Sequence, residues 1–227
     1  MPKLTIKALG KEAALFSALQ SQTPEKVLYG VTDGKAVGTY LEQKFREYLK
    51  SHYDFVEGNS ASGIDFPELL VDMKVTSIRQ PQSSCPFKSA RQKVYGLGYS
   101  LIVFVYDKLD NARSKTATLT ILHTIFVEAE RTGDFQTTRG IRQILANEGN
   151  RDDIFAYLED SWLSLDEIGM TELANEIIGN PPLQGFLTTP PAVSWQLSYS
   201  PAIERAGLEK GILSIYQAGK INAQVHN

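Results

Sequence analysis

Two carboxylates and a lysine lie at strand-like spacing in one short stretch, Gly63 to Ser77, which reads GIDFPELLVDMKVTS. Asp65 lies in its first half, and Asp72 and Lys74 lie in its second half. Carboxylate oxygens are ligands that Mg²⁺ prefers, and two of them leave coordination positions free for water and phosphate. An ammonium group beside such a cation can orient an attacking water or help to deprotonate it. These residue types therefore predict metal-dependent phosphodiester hydrolysis.

The apolar residues of this stretch alternate with polar ones, which predicts a hairpin whose buried face carries Ile64, Phe66, Val71, Met73 and Val75. We place the turn at Glu68 and Leu69. Asp65 then lies directly across from Asp72, and Lys74 follows on the same side. Two carboxylates at about 5 Å repel by roughly 3 kcal/mol at an effective dielectric near 20, and a divalent cation reverses that interaction. The alternative is a solvated strand face with a surface ion pair.

A helix that carries a third acid is predicted just before the hairpin. Thr32-Asp33-Gly34 offers N-capping oxygens for a helix over roughly residues 35–52, whose apolar stripe contains Val37, Leu41, Phe45, Tyr48 and Leu49. Glu42 lies at the border of this stripe, where burying a carboxylate costs free energy. Because the predicted cation site follows directly in the sequence, Glu42 is a candidate third acid near the hairpin. The alternative is a border Glu that simply reaches solvent. An earlier helix over residues 5–21 is predicted to pack through Leu9, Ala13, Leu15, Phe16 and Leu19.

Two apolar runs after the hairpin predict the rest of an α/β core. Residues 99–106, YSLIVFVY, are typical of a strand covered on both faces, and residues 117–127 are its expected neighbour. With the hairpin they form a central mixed sheet flanked by helices. A short helix is predicted over residues 87–96. The C-terminal region is predicted to be α-rich. It would contain helices over 136–147 and 152–178, a short strand over 195–199 and a last helix starting within 201–210.

Composition limits the classes of protein to which the chain can belong. Its 227 residues, 42% of them hydrophobic, suffice for one sizeable core. The net charge of −3 gives no global sign of nucleic-acid binding, so such binding needs a local basic region. Cys85 is the single cysteine, which excludes an intramolecular disulfide and a cysteine-based zinc site. No secretion signal or membrane span is evident, so we expect a cytoplasmic protein without a membrane partner.

The order of these features resembles the PD-(D/E)xK nuclease family and, within it, the type II restriction endonucleases. Gly-Ile-Asp65 and Val-Asp72-Met-Lys74 form the motif, with Ile64 at the position of the proline in the family name. Glu42 lies on a helix before the motif, and a basic helix and two apolar strands follow it. The resemblance covers roughly residues 37–127.

The resemblance implies a restriction-endonuclease-like catalytic core over residues 37–132. A helical subdomain over 133–227 would serve dimerisation or DNA recognition. It implies that Asp65 and Asp72 bind Mg²⁺, that Lys74 positions or activates the hydrolytic water, and that Glu42 is an accessory acid and metal ligand. The implied function is sequence-specific cleavage of double-stranded DNA by a homodimer.

Local basic and polar clusters indicate where DNA would bind. Between residues 79 and 93 there are Arg and Lys side chains but no acid. We expect Gln80, Gln82, Ser83 and Ser84 to contact base edges or phosphates. The expected phosphate contacts are Lys88, Arg91 and Lys93, with Arg139 and Arg142 in a second basic region. The alternative is that these residues only cap turns or carry surface charge.

Two other functions stay open at this point. A DNA repair or junction-resolving nuclease would use the same centre but recognise DNA shape, so it would cut only at branches or lesions. A non-catalytic DNA-binding domain would keep the fold, but loss of catalysis should erode Asp65, Asp72 or Lys74, and all three are present.

Overall fold

The computed structural model describes residues 1–58, 63–161, 165–189 and 196–219. The chain forms two compact units that are interleaved along the sequence. The first unit contains Met1–Ser83, Leu101–Val127 and the segment that begins at Arg205. The second contains Ser84–Ser100 and Glu128–Glu204. Most of the predicted catalytic core, residues 37–132, belongs to the first unit, while residues 133–227 contribute to both.

A five-stranded sheet organises the first unit. Its strands are β1 (Pro24–Glu25), β2 (Val71–Ser77), β4 (Ser100–Asn111), β5 (Thr116–Val127) and β7 (Ile212–Gln217). The order is β1-β5-β4-β2, and β7 pairs with β5 outside this path. β5 is antiparallel to β1, β4 and β7. The predicted α/β class with a central sheet flanked by helices is confirmed, and so are both predicted apolar strands.

Two helices pack on this sheet. Thr5 caps α1 (Ile6–Gln20), and Asp33 caps α2 (Gly34–Lys50) through side-chain oxygens. α1 contacts β5 and β7, whereas α2 contacts β2. The core between helices and sheet contains Phe16, Phe45 and Phe104, whose rings lie 5.0–6.0 Å apart. Both predicted helices are therefore confirmed, and the strand that carries Asp72 packs directly against α2.

The predicted apolar stripe of α1 is wrong at two positions. Leu15 and Leu19 are exposed, at 51% and 59%, whereas Glu12, Ser17 and Gln20 are buried. The buried polar residues are hydrogen-bonded: Glu12 accepts from the hydroxyls of Tyr48 and Tyr53 at 2.8 and 3.0 Å, and Ser17 bonds to Thr124. Buried polar groups are tolerated when they find partners, and hydrophobic periodicity cannot reveal those partners.

The predicted hairpin is only partly formed. Residues Pro67–Leu69 form a 3₁₀ helix that Leu70 closes with a left-handed φ of 51°. A single antiparallel bridge, Phe66 to Val71, replaces the first predicted strand, and β2 takes β4 as its neighbour in the sheet. The predicted turn position and register are nevertheless confirmed, because this bridge leaves Asp65 across from Asp72.

The second unit is rich in helices. It contains α3 (Ala90–Tyr95), α4 (Phe135–Ala146), α5 (Arg151–Asp160), α6 (Glu167–Gly179) and most of α7 (Ser200–Arg205). Buried apolar side chains of the first four helices form one core: Ala90, Val94, Ile141, Ile154, Leu158, Leu173, Ala174 and Ile177. The helix predicted over residues 152–178 is two helices, since Asn150 and Asp166 each cap a separate one.

The remaining elements are short. β3 spans Gln82–Ser84, and β6 spans Gln196–Ser198 within the strand predicted over 195–199, of which Trp195 lies outside the described residues. The last helix, α7, ends at Arg205 rather than continuing towards Lys210, and β7 follows without having been predicted. None of the described helices is long and apolar enough to cross a membrane.

Candidate active site

Helix α2 forms one wall of a cavity of about 590 Å³. Its buried stripe of Val37, Leu41, Phe45 and Leu49 holds the helix on the sheet. Glu42 and Arg46 lie one helical turn apart at one edge of this stripe, and both line the cavity. The fold therefore brings a carboxyl and a guanidinium group from α2 to the predicted acid pair.

Asp65 is positioned by the turn before β2. Its carbonyl accepts a hydrogen bond from the Gly58 amide at 2.9 Å. A side chain at Gly58 would place a Cβ 1.6 Å from the carbonyl oxygen of Ile64, so this approach requires glycine. The Asp65 carboxylate then accepts from Arg46 Nη1 at 2.6 Å and from the Met73 amide at 2.9 Å. The backbone turn and two donors thus fix this carboxylate.

Asp72 and Lys74 point into the same cavity from β2. Met73, between them, is completely buried in the core, so alternation along the strand turns its two neighbours the other way. Asp72 is only 3% exposed. Lys74 Nζ lies 2.8 Å from Asp72 Oδ2 and is the ammonium group that the sequence predicted beside this acid.

Burial makes two acids of this site unusually hard to ionise. Burial raises the pKa of Asp72 to about 6 despite the attraction of Lys74, and a hydrogen bond with the Asp65 carboxyl adds to the increase. Burial also raises the pKa of Glu42 to about 7, helped by the negative charges of Asp65 and Asp72 and opposed by Lys74 and Arg46. Both groups therefore titrate near neutral pH.

The donor set fits a divalent cation held by two carboxylates. Asp65 and Asp72 lie across from each other and both line the cavity, so their carboxylates can act together on one cation. Within the described ranges, no three Asp, Glu, His or Cys side chains form a group that could hold a metal. Other ligands would then be water or phosphate oxygens, and the role of Glu42 as a metal ligand stays a prediction.

The predicted DNA-contacting residues divide between the two units. Gln80 and Gln82 belong to the first unit, where the side-chain amide of Gln80 donates to Gln82 Oε1 at 3.0 Å. The Thr76 hydroxyl donates to the Gln82 carbonyl at 3.1 Å and so holds this loop close to the end of β2. Ser83 and Ser84 complete β3. Base or phosphate contact by these residues stays a prediction.

The predicted basic contacts lie in the second unit. Lys88 and Arg139 are exposed, and Lys93 lies on α3. Arg91 donates to both carboxylate oxygens of Glu176, at 2.6 and 3.1 Å, and stacks 5.0 Å from the Tyr95 ring. Arg142 donates to the Pro182 carbonyl at 3.1 Å. Arg91 and Arg142 therefore also have partners within the protein.

Sequence reasoning missed Arg46. The signal was available, because Arg46 follows Glu42 by four residues and so falls on the same edge of the predicted α2 stripe. A metal site directs attention to acids on α2, whereas the structure also places the Arg46 guanidinium against Asp65.

Comparison with known proteins assigns the family. The family model described as type II restriction enzyme NspV matches residues 3–214. A curated relative, type II restriction enzyme NspV from Nostoc sp. (strain ATCC 29411 / PCC 7524), is 69% identical over 217 residues, which cover 96% of this chain and 99% of the relative. No solved structure gives a significant match. The chain therefore belongs to the family of type II restriction enzyme NspV.

Proposed function

We propose that this protein is a Mg²⁺-dependent type II restriction endonuclease that hydrolyses phosphodiester bonds in double-stranded DNA at a specific sequence. The observation that carries this proposal is the convergence of Asp65, Asp72, Lys74 and Glu42 on one cavity. We assign the core to the restriction-endonuclease-like fold and the site to the PD-(D/E)xK type. Family membership supports the endonuclease activity, and the carboxyl pair supports the metal requirement.

Asp65 and Asp72 would hold the cation through their carboxylate oxygens, which line the same cavity. When bound, Mg²⁺ would polarise the scissile phosphate and lower the pKa of a water molecule. The carboxyl pair is suited to this role because Asp65 is fixed by the Met73 amide and Asp72 is almost completely buried. Little reorganisation is then needed when charge develops in the transition state.

Lys74 and Glu42 would handle the water and its proton. The Lys74 ammonium lies 2.8 Å from Asp72, so it can donate a hydrogen bond to a water held beside that carboxylate. Glu42, with a pKa near 7, can accept a proton at neutral pH and return it to solvent. These two side chains therefore supply proton-transfer groups to the cavity from two elements, β2 and α2.

A homodimer would place two such sites on one DNA duplex. Cleavage of both strands at a palindromic sequence needs two equivalent centres, and two-fold symmetry supplies them. Gln80, Gln82, Ser83 and Ser84 follow the catalytic strand directly and would contact bases or the DNA backbone near the cut. Lys88, Arg91, Lys93, Arg139 and Arg142 would contact phosphates, with Arg91 and Arg142 exchanging their present partners for DNA.

The proposal is tested by incubating the protein with plasmid DNA and Mg²⁺ and sequencing the new ends. We expect every cut to fall at one short recurring sequence in intact duplex, and chelation of the metal to stop cleavage. Asp72→Ala and Lys74→Ala should both abolish cleavage while circular dichroism shows a folded protein. Full activity in both variants would contradict the proposal, and cuts confined to branches or lesions would favour a repair enzyme.

A further inference from the structure

A positively charged side chain of the cavity is hydrogen-bonded to the carboxylate that is expected to bind metal. Arg46 Nη1 lies 2.6 Å from Asp65 Oδ1, and the two side chains are only 24% and 18% exposed. The other Asp65 oxygen accepts from the Met73 amide at 2.9 Å. Both oxygens of Asp65 are therefore engaged by donors of the protein itself, and one donor carries a full positive charge.

Arg46 differs from its neighbours on α2 in the carboxylate that it contacts. Lys50, one turn further along the helix, pairs with Glu57 at 2.5 Å. Gln43 donates to Glu47 at 3.0 Å. These side chains line the same cavity but bind other carboxylates, whereas the guanidinium of Arg46 lies directly on Asp65. A dication bound to Asp65 would thus meet a like charge at hydrogen-bonding distance of its ligand, which disfavours binding.

We infer that Arg46 is an internal counter-ion that blocks metal binding at Asp65 until a DNA phosphate draws it away. This inference rests on the proposed role of Asp65 as a metal ligand. Arg46 is a positioning residue in this scheme, because it acts on the metal through Asp65. Its effect is to make metal uptake depend on the presence of DNA.

The chemistry of the guanidinium group supports such an exchange. A guanidinium binds phosphate and carboxylate in the same bidentate geometry, so a phosphate in the cavity competes directly with Asp65 for Arg46. The long Arg46 side chain is anchored on α2, while Asp65 is held by the turn before β2, so the contact can break without movement of either backbone element. Once released, Asp65 Oδ1 is free to join Asp72 in binding the cation.

Thermodynamic linkage makes the inference measurable. If DNA raises metal affinity by removing Arg46 from Asp65, then metal must raise DNA affinity by the same factor. A variant without the Arg46 charge should bind metal more tightly in the absence of DNA and should lose most of this mutual enhancement. A variant that keeps the charge should retain it.

The first measurement is calorimetric titration of DNA-free protein with Ca²⁺, a dication that prefers oxygen ligands. Arg46→Gln should bind Ca²⁺ about tenfold more tightly than the wild type, or better, because one like charge is removed near the ligand. Arg46→Lys keeps the charge and should stay within about threefold of the wild type. Lys50→Gln is the matched control, since it removes the same charge from the same helix, and it should also stay within about threefold.

The second measurement uses a duplex that carries the sequence recovered from the cut ends. Its affinity is compared with Ca²⁺ and with a chelator, under conditions in which the duplex stays uncut. The wild type and Lys50→Gln should bind this duplex more tightly with Ca²⁺, and Arg46→Gln should lose most of that gain. Arg46→Met, which keeps the apolar stem, replaces Arg46→Gln if circular dichroism shows that the Gln variant is unfolded.

Unchanged or weaker Ca²⁺ binding by the folded Arg46 variant would overturn the inference, because Arg46 would then only hold Asp65 in place. The same affinity gain in Lys50→Gln would also overturn it, since net charge alone would explain the effect. Asp65→Asn separates this result from failure of the proposed function. If the wild type cuts DNA with Mg²⁺ but Asp65→Asn combined with Arg46→Gln binds Ca²⁺ as tightly as Arg46→Gln alone, then Asp65 is not a ligand and the inference fails while the proposed function stands.

Discussion

The two edges of helix α2 carry contrasting carboxylates. At one edge, Tyr40 and Lys44 contact Glu25 of β1. At the other edge, Glu42 and Arg46 face Asp65 and Asp72. Glu25 and Asp72 are both buried residues of strands in the same sheet. They differ in the number of donors around them, and this difference separates a structural acid from a candidate catalytic one.

Three side chains contact the carboxylate of Glu25. Gln20 Nε2 donates to it at 3.0 Å and the Tyr40 hydroxyl at 2.6 Å, and Lys44 forms an ion pair with it. Burial by itself raises the pKa of Glu25, but these hydrogen bonds and the charge of Lys44 outweigh burial and leave the pKa below its usual value. The ionised form is therefore the stable one, and the network ties α1, β1 and α2 together.

The acids at the other edge have too few donors for their number. Three carboxyl groups share Arg46 and Lys74, and burial raises the pKa of Glu42 to about 7 and that of Asp72 to about 6. Buried carboxylates with too few donors destabilise the folded protein unless a bound cation or a proton neutralises them. The comparison teaches that buried carboxylates with too few donors, rather than burial alone, mark the site.

The strongest test of this contrast is Asp72→Asn. We expect Mg²⁺-dependent cleavage to fall by about 10³-fold or more, because the cation supplies several kcal/mol of transition-state stabilisation and Asn cannot provide a charged ligand. Single-turnover cleavage measures the loss, and urea denaturation checks that the variant remains folded. Cleavage within tenfold of the wild type would remove Asp72 from the site.

The matching change at the other edge is Glu25→Gln. It should lower the free energy of unfolding at pH 7 by about 1–3 kcal/mol, because Lys44 loses its charged partner in a partly buried place. Because the pKa of Glu25 is lowered on folding, its contribution is present above about pH 4.5 and is lost as the pH falls through the folded value. Urea denaturation at pH 7 and pH 4 should show the difference shrinking in acid. An unchanged stability at pH 7 would contradict the structural role.

The opposite sign is expected for Glu42→Gln. A pKa of about 7 in the folded state means that ionisation of Glu42 costs stability as the pH rises from about 4.5 to 7. Gln cannot ionise, so the variant should be more stable than the wild type by about 1–2 kcal/mol at pH 8 and equal to it at pH 4.5. Thermal unfolding at both pH values measures this gain. A loss of stability at pH 8 would show that ionised Glu42 is as well supported as Glu25.

The smallest effect is expected for Tyr40→Phe. It removes one of the donors to Glu25 without removing the ion pair, so the free energy of unfolding should fall by about 0.5–1.5 kcal/mol at pH 7. Denaturant titration measures the change, and the cleavage rate with Mg²⁺ serves as the control, because Tyr40 lies at the edge away from the cavity. A large drop in cleavage with unchanged stability would show that the two edges are coupled.

Much of the fold was predictable where local patterns coincide with burial. The α2 helix has a capping Asp33 and a regular stripe, and its boundaries were predicted within two residues. The strands β4 and β5 are long apolar runs that need no partner to be recognised. The turn at Glu68 and Leu69 also placed Asp65 across from Asp72. Each of these features depends on residues close together in the chain.

The wrong or missing predictions involve contacts between distant residues. Leu15 and Leu19 were expected to be buried, but the buried face of α1 instead includes Glu12, Ser17 and Gln20, which have hydrogen-bond partners on other elements. β7 pairs with β5, a strand about 90 residues earlier in the chain. The three donors to Glu25 come from α1 and α2, and no spacing rule connects them to β1. Local pattern cannot find such partners, because sequence distance does not limit them.

By itself, the sequence determined the motif of Asp65, Asp72 and Lys74 and the helix that carries Glu42, since strand alternation and helical periodicity set which side chains share a face. Only the tertiary structure decided that these faces enclose one cavity and that Arg46 neutralises Asp65 within it. The physical reason is that charge balance at a buried site depends on every group that packs around it. That balance exists only after α2 has packed against β2.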